Sequence, residues 1–209
     1  MSQKAELLVD ASIAVGELHF SSSFTISRGE LIAISGDIGS GKSALLRLVT
    51  GDIRAASGLV QFDNEYWDCT ETGAFVPPEK RPIGYVPQDF RSAFDPEATA
   101  LESLAPYKSS TAATALLHSL ALGDHVIDRA MRTLSNGEAQ RAALALALAK
   151  DPLVLLLDDP FSALDQYTSD IVHAWLDGWL AETGTPTIIV TQDEADQDHF
   201  VDRVIHLSA

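Results

Sequence analysis

The pattern of apolar and polar positions divides the chain into strand-like segments at both ends and a helical block between them. Short apolar or alternating runs, typical of strands, lie at 7–9, 19–26, 31–34, 59–62 and 83–86. Leucine- and alanine-rich or amphipathic stretches predict helices at 44–50, 100–104, 111–122, 137–150 and 170–182. Continuous apolar runs predict central strands, buried on both faces, at 153–157 and 187–191, with a last strand at 204–207. The proline-containing stretch 67–82 is predicted to be irregular.

The order of these elements predicts an α/β fold. Antiparallel strands come first, a strand–loop–helix unit follows, and a strand–helix–strand unit comes after the helical block. This order predicts a parallel core sheet, an antiparallel β subdomain at one end and an inserted helical subdomain. The length of 209 residues predicts a single domain over 1–209. We expect its antiparallel β and core parts at 1–88 and 151–209, and its helical subdomain at about 89–150.

Residues 36–43, GDIGSGKS, fit the phosphate-loop pattern G-x-x-x-x-G-K-[ST] at every fixed position. The glycines let the backbone curl around phosphates, and the helix that follows favours an anion at its N-terminus. Lys42 is expected to reach the β- and γ-phosphates, and Ser43 to offer its hydroxyl to Mg²⁺. The alternative is a glycine-rich turn that matches by chance, which the strand before the loop and the helix after it disfavour. The candidate ATP-binding residues are Gly36, Asp37, Ile38, Gly39, Ser40, Gly41, Lys42, Ser43 and Ala44.

Two carboxylates follow the apolar run at 153–157, in the order Asp158 and Asp159. Ligands of open α/β sheets sit beyond the carboxyl ends of the strands. One carboxylate there can hold Mg²⁺ through water, and a second can orient the attacking water. The alternative is that both residues only cap the next element.

Residues 134–141, LSNGEAQR, stand at the start of a predicted helix. Ser135 is a plausible N-cap, and Glu138 three residues later completes a capping box. A structural role alone would explain this pattern. The functional alternative is a second anion site at a free helix N-terminus.

In this position between phosphate loop and carboxylate strand, LSNGEAQR resembles the LSGGQ signature of ABC-transporter ATPases, and the resemblance covers nearly the whole chain. It implies a P-loop NTPase fold in which two ATPase subunits, as a homodimer or a heterodimer, pair head to tail. Each ATP then lies between the phosphate loop of one subunit and the signature of the other. The signature residues expected to serve the partner's ATP are Ser135, Asn136, Gly137 and Glu138.

The same resemblance implies roles for residues in three more places. Gln88 is similar to the family's Q-loop glutamine, which touches Mg²⁺ and couples to membrane-spanning permease subunits. Asp158 is similar to the magnesium-binding aspartate of the second Walker motif, and Ser162 and Asp165 match the D-loop. The expected metal ligands are thus Ser43, Gln88 and Asp158. Residues 16–62 and 75–85 look closest to importer ATPases of the molybdate and sulfate type.

Four positions depart from the family pattern. Asp159 stands where the family has the glutamate that polarises water, and Gln192 stands where it has the switch histidine. Asn136 replaces the first signature glycine, and Val15 replaces the aromatic residue that stacks on adenine. With Gln88, the first two are the candidate catalytic residues. Because both belong to the site of this chain's own phosphate loop, we expect ATP binding with slow hydrolysis and a signature that serves a competent partner site.

Composition and charge limit the binding partners and the cellular location that we expect. The net charge of −16, from 30 acidic and 14 basic residues, disfavours nucleic acid as a partner. The single cysteine, Cys69, is compatible with a reducing cytosol. The first residues lack the apolar core of a signal peptide, and no apolar run approaches the roughly 20 residues of a membrane span. We therefore expect a cytoplasmic protein, peripheral on the membrane through partner subunits and without an extra C-terminal domain. The alternative is a soluble ABC-type ATP switch with no transporter attached.

Overall fold

The computed structural model describes residues 6–16, 18–191 and 201–207. Its strands are β1 (Glu6–Val15), β2 (Leu18–Ser27), β3 (Leu31–Ser35), β4 (Ser57–Phe62), β5 (Glu65–Cys69), β6 (Ala74–Phe75), β7 (Ile83–Val86), β8 (Val154–Asp158), β9 (Thr187–Val190) and β10 (Arg203–His206). Its helices are α1 (Lys42–Thr50), α2 (Ala100–Leu104), α3 (Ser110–Ser119), α4 (Asp124–Ile127), α5 (Asn136–Ala149) and α6 (Gln166–Thr183). Short 3₁₀ turns occupy Pro78–Lys80, Phe90–Ala93 and Met131–Thr133. Among these helices, none has both the length and the apolar character that crossing a bilayer requires.

The strands form two sheets. The parallel sheet has the order β10-β3-β9-β8-β7, and the antiparallel sheet has the order β2-β1-β4-β5-β6. All five residues of β8 are buried, as expected for a strand covered on both faces. The predicted α/β fold, with a parallel core sheet, an antiparallel layer and inserted helices, is confirmed.

Successive side chains of the parallel strands point to opposite faces of the sheet and contribute to two separate hydrophobic cores. Ile32 and Ile34 of β3 face a core that includes α1 and the antiparallel sheet. Leu31 and Ala33 face a second core, built with the helical block. The alanine-rich α5 lies so close to β7 that a Cβ at Gly84 would meet the Ala147 carbonyl oxygen at 2.7 Å. Small residues on both elements therefore allow the helical block to dock on the sheet.

The prediction that residues 67–82 are irregular is wrong over its first half. Strand β5 pairs with β4, and β6 pairs with β5. The sequence of β5 did not predict a strand, because polar residues interrupt its apolar pattern. One of them, Asp68, is nevertheless fully buried. Its carboxylate accepts hydrogen bonds from the Arg54 guanidinium at 2.8 Å and the Ala55 N–H at 2.9 Å. Trp67 stacks on Phe62 with ring centroids 5.2 Å apart. An ion pair to a buried carboxylate and an aromatic pair thus replace the apolar alternation that would have marked this strand.

Arg81 fixes the C-terminal end of α1. Only 5% of its surface is exposed, and its guanidinium donates to the carbonyl oxygens of Leu48 at 3.0 Å and Val49 at 2.6 Å. It also donates to the carbonyl oxygens of Trp67 and Val76, each at 2.8 Å. These contacts tie the helix that follows the phosphate loop to the antiparallel sheet, and a cation there complements the negative end of the helix dipole.

Candidate functional site

The carboxyl ends of four parallel strands meet at one edge of the sheet. The phosphate loop follows β3, and Gln88 lies shortly after β7. Asp158 is the last residue of β8, Asp159 comes directly after it, and Thr191 follows β9. Together they line a cavity of about 290 Å³. This edge is where an open parallel sheet binds ligands. The cavity-lining residues are Ile38, Gly39, Gly41, Lys42, Ser43, Ala44, Gln88, Asp158, Asp159, Val190 and Thr191.

Two glycines give the phosphate loop its shape. Gly41 has φ 96°, and a Cβ there would meet the Phe20 ring at 2.3 Å. Gly36 has φ 151°, and a Cβ there would meet the Leu207 carbonyl oxygen and the Ser40 Oγ, each at 2.7 Å. Larger residues are excluded at both positions by backbone conformation and by space. The predicted loop over 36–43 therefore has the glycines that its geometry requires.

The loop presents positive charge and free donors toward the cavity. The Lys42 ammonium donates to the carbonyl oxygens of Gly36 at 2.5 Å and Asp37 at 2.8 Å, so its side chain curls back along the loop. Among the described residues, no side chain caps the N-terminus of α1, and its first turn carries no acidic residue. The N–H groups of that turn and the helix dipole thus favour an anion, which is what the phosphates of a nucleotide supply.

Oxygen ligands for a hard cation lie beside this anion site. Asp158 is 4% exposed, and its carboxylate is hydrogen-bonded to the Ser43 side chain. Burial raises the pKa of Asp158, Asp159 raises it further, and Ser43 and Lys42 oppose the rise. A hydroxyl, a carboxylate and the Gln88 amide form the all-oxygen donor set that Mg²⁺ prefers when phosphates and waters complete its shell. The residues present therefore fit Mg²⁺ bound together with a nucleotide.

Asp159 has an unusual backbone conformation. Its φ is 54°, in the left-handed region that Asp tolerates better than most residues. Its N–H donates to the Val190 carbonyl oxygen at 2.7 Å, and its own carbonyl oxygen accepts from the Gln140 side chain at 2.9 Å and the Ser162 hydroxyl at 3.0 Å. The backbone of Asp159 is thus held from both sides at the edge of the cavity.

The signature residues do not line this cavity. Ser135 caps α5, its hydroxyl accepts from the Glu138 N–H at 3.2 Å, and its own N–H donates to the Glu138 carboxylate at 2.8 Å. This is the predicted capping box, and the Ser135 N–H lowers the pKa of Glu138. A Cβ at Gly137 would meet the Ala163 carbonyl oxygen at 2.9 Å, so α5 begins against the predicted D-loop. Asp165 of that loop caps α6 by accepting from the Thr168 N–H at 2.9 Å.

The sequence analysis did not single out several residues of the site. Gln140 is 2% exposed and links α5 to the predicted D-loop, because its amide donates to the Asp159 carbonyl oxygen and accepts from the Ala163 N–H at 3.0 Å. Thr191 lines the cavity. Burial raises the pKa of Tyr85 to about 12, and the charge of Asp158 adds to this rise. The spacing of Gln140 within α5 is the only hint of its inward position. Gln192, one of the predicted catalytic residues, lies outside the described residues.

The fold and the site define a P-loop nucleotide-binding protein. Residues 20–162 match the family model described as ABC transporter, and the chain belongs to this family. Comparison of folds agrees. The dimeric structure of MJ0796, a bacterial ABC transporter cassette, superposes with a TM-score of 0.81 at 27% identity, covering 97% of this chain and 94% of that one.

Curated relatives are similar over most of this chain. The molybdenum import ATP-binding protein ModC of Rhodopseudomonas palustris is 32% identical over 203 residues, which cover 93% of this chain and 53% of that protein. The molybdate/tungstate import ATP-binding protein WtpC of Thermococcus kodakarensis is 35% identical over 187 residues, covering 87% and 55%. The predicted resemblance to importer ATPases of the molybdate and sulfate type is confirmed. The chain spans about half the length of the curated relatives it matches.

Proposed function

We propose that this chain is an ATP-binding subunit of an ABC importer, acting at the cytoplasmic face of a membrane. It forms one ABC ATPase domain over 1–209, with a helical subdomain at about 89–150. The observation that carries the proposal is the cavity in which the phosphate loop, Gln88 and two carboxylates meet. The import ATP-binding relatives support the choice of function.

In this proposal the phosphate loop holds the nucleotide. The N–H groups of residues 39–44 bind the phosphate oxygens, and the Lys42 ammonium turns from the loop carbonyls toward the β- and γ-phosphates. Ser43, Asp158 and Gln88 hold Mg²⁺ directly or through water. When bound, Mg²⁺ neutralises charge on the phosphates during cleavage. Ionised Asp158 is unfavourable in its buried position, and a divalent cation removes that penalty.

Hydrolysis at this site is proposed to be weak. Asp159 orients the attacking water in place of the family's glutamate, and its side chain is one methylene shorter. That difference draws the carboxylate back by about 1.5 Å, and a misplacement near 1 Å costs on the order of 10²-fold in rate. Gln192 donates a hydrogen bond to the γ-phosphate but cannot take up a proton.

A second ATPase subunit completes the site. Ser135, Asn136, Gly137 and Glu138 lie at the start of α5, outside the cavity of their own chain. In a head-to-tail pair they face the ATP of the partner, and Ser162 and Asp165 lie beside them in the D-loop. The dimeric state of the MJ0796 cassette supports this pairing.

A hollow beside the Q-loop favours a permease partner over a free-standing ATP switch. It has a volume of about 320 Å³ and is lined by Arg91, Phe94, Pro96, Met131 and Arg132. Phe94 lines the hollow and also packs against the core of the helical block. Apolar surface rimmed by cations suits a short segment of a membrane subunit. Phe94→Asp should abolish reconstituted transport and leave ATP binding unchanged, and loss of both together would place Phe94 in the fold instead.

Nucleotide binding is the direct test of the proposal. Equilibrium dialysis with ATP should show saturable binding that Mg²⁺ strengthens, and Lys42→Ala should weaken it more than tenfold. Lys80→Ala is the matched control, because Lys80 is exposed in a 3₁₀ turn away from the cavity. Equal binding by wild type and Lys42→Ala would refute the assignment of the site.

A further inference from the structure

Asn136 makes a contact that the family's glycine cannot make. Its side-chain oxygen accepts a hydrogen bond from the Arg91 Nη2 at 3.0 Å. The same Nη2 donates to the Leu134 carbonyl oxygen at 2.8 Å, and Nη1 donates to the Met131 carbonyl oxygen at 3.2 Å. One guanidinium thus holds the 3₁₀ turn before the signature, the residue before Ser135, and the first residue of α5.

Arg91 also belongs to the hollow beside the Q-loop. It lies in the 3₁₀ turn Phe90–Ala93, shortly after Gln88, and lines the hollow with Phe94 and Met131. The Arg91 side chain therefore connects the hollow to the start of α5. Hydrogen bonds from a charged donor are about twice as strong as those between neutral groups, so the guanidinium holds these two parts together more firmly than a neutral side chain would.

We propose that Arg91 and Asn136 form a latch that sets the position of the signature. Asn136 is exposed, and without the latch its side chain would not secure the start of α5, where the capping box of Ser135 and Glu138 would remain. The latch adds a tie to the Q-loop side of the helical block, so that Ser135 and Gly137 keep one orientation toward the partner's ATP. Both latch members are positioning residues. The consequence for the partner's ATP rests on the pairing proposed above, whereas the latch itself does not.

Hydrogen–deuterium exchange on the single subunit tests the latch without pairing. Asn136→Ala should speed exchange of the amides at 135–138 about tenfold, equivalent to about 1.4 kcal/mol. Arg91→Gln should have at least the same effect, because it also removes the donors to the Leu134 and Met131 carbonyl oxygens. The double variant should match Arg91→Gln, because Asn136→Ala removes only a contact that Arg91→Gln has already removed. Asn136→Asp should restore protection, since a carboxylate also accepts from Arg91.

Two controls separate the latch from general loosening. Arg132→Gln removes a cation from the same hollow, but the Arg132 guanidinium donates to the Glu97 carboxylate at 2.8 Å rather than to residues 134–136. Asn64→Ala removes an exposed asparagine from the turn between β4 and β5. Neither should alter exchange at 135–138. A change of less than twofold in Asn136→Ala, or additive effects in the double variant, would overturn the latch.

Sedimentation with ATP and EDTA then tests the consequence for pairing. Arg91→Gln leaves all four signature residues in place, and it should weaken the ATP-dependent dimer about tenfold. Unchanged dimerisation despite faster exchange would overturn the positioning role. If wild-type protein binds ATP and the variants show the exchange effects but wild type forms no dimer, the latch stands, and a homodimer is excluded as the form of the proposed pairing.

Discussion

Replacing Arg81 with methionine should strongly destabilise the fold. The substitution keeps an unbranched side chain of similar length but removes every donor to the carbonyl oxygens of Leu48, Val49, Trp67 and Val76. A hydrogen bond from a charged group contributes about 1.5–2 kcal/mol in such a place, so the four together contribute about 6–8 kcal/mol. Burial lowers the pKa of Arg81 to about 10, and this desolvation cost, about 3 kcal/mol, is relieved by the substitution. The net loss is about 3–5 kcal/mol.

Urea unfolding followed by circular dichroism measures this loss. With a slope of about 2–3 kcal/mol per molar urea, the midpoint should fall by about 1–2.5 M. Arg132→Met is the matched control, because Arg132 and its partner Glu97 are both mostly exposed, and it should change stability by less than about 0.5 kcal/mol. A loss below about 1 kcal/mol for Arg81→Met would refute the argument that this guanidinium secures the end of α1.

Three further outcomes follow from the same contacts. Asp158→Asn should raise the stability of the protein measured without nucleotide, because the buried carboxylate with its raised pKa is unfavourable when ionised, yet it should abolish the Mg²⁺ dependence of ATP binding in dialysis. Gly41→Ala should cost about 2–4 kcal/mol in urea unfolding, from its positive φ and from overlap with Phe20, and Gly41→Ala/Phe20→Leu should recover only the second part. The pKa of Glu138 is lowered in the fold, so its stabilisation is present above the unfolded pKa and is lost as pH falls through the folded pKa. The stability difference between wild type and Glu138→Gln should therefore shrink between neutral and acidic pH, and a constant difference would contradict the assignment.

The apolar runs predicted the parallel sheet well because buried strands leave little choice of residue. Strand β8 is buried along its whole length, and its apolar run at 153–157 marks it to within one residue. The phosphate-loop motif pointed to Lys42 and Ser43, and the family resemblance pointed to Gln88 and Asp158. All four line one cavity, because loops after parallel strands converge at one sheet edge.

Polar contacts inside the fold escaped prediction. Arg81 and Asp68 are charged residues that are usually exposed, and their burial depends on partners distant in the chain, such as Leu48 and Arg54. The sequence identified Asn136 as a signature residue that departs from the family, but it gave no sign of the link to Arg91, which spans 45 positions. Periodicity reports which face of an element is buried, but it does not report which polar groups meet there.

Steady-state ATP turnover tests the central claim most directly. Wild type should hydrolyse Mg-ATP at a rate near that of Lys42→Ala, whereas Asp159→Glu/Gln192→His should gain on the order of 10²-fold, because the site is otherwise complete. Turnover of wild type far above that of Lys42→Ala would contradict the account, since Asp159 and Gln192 would then suffice for hydrolysis and the chain would act as a conventional ATPase subunit.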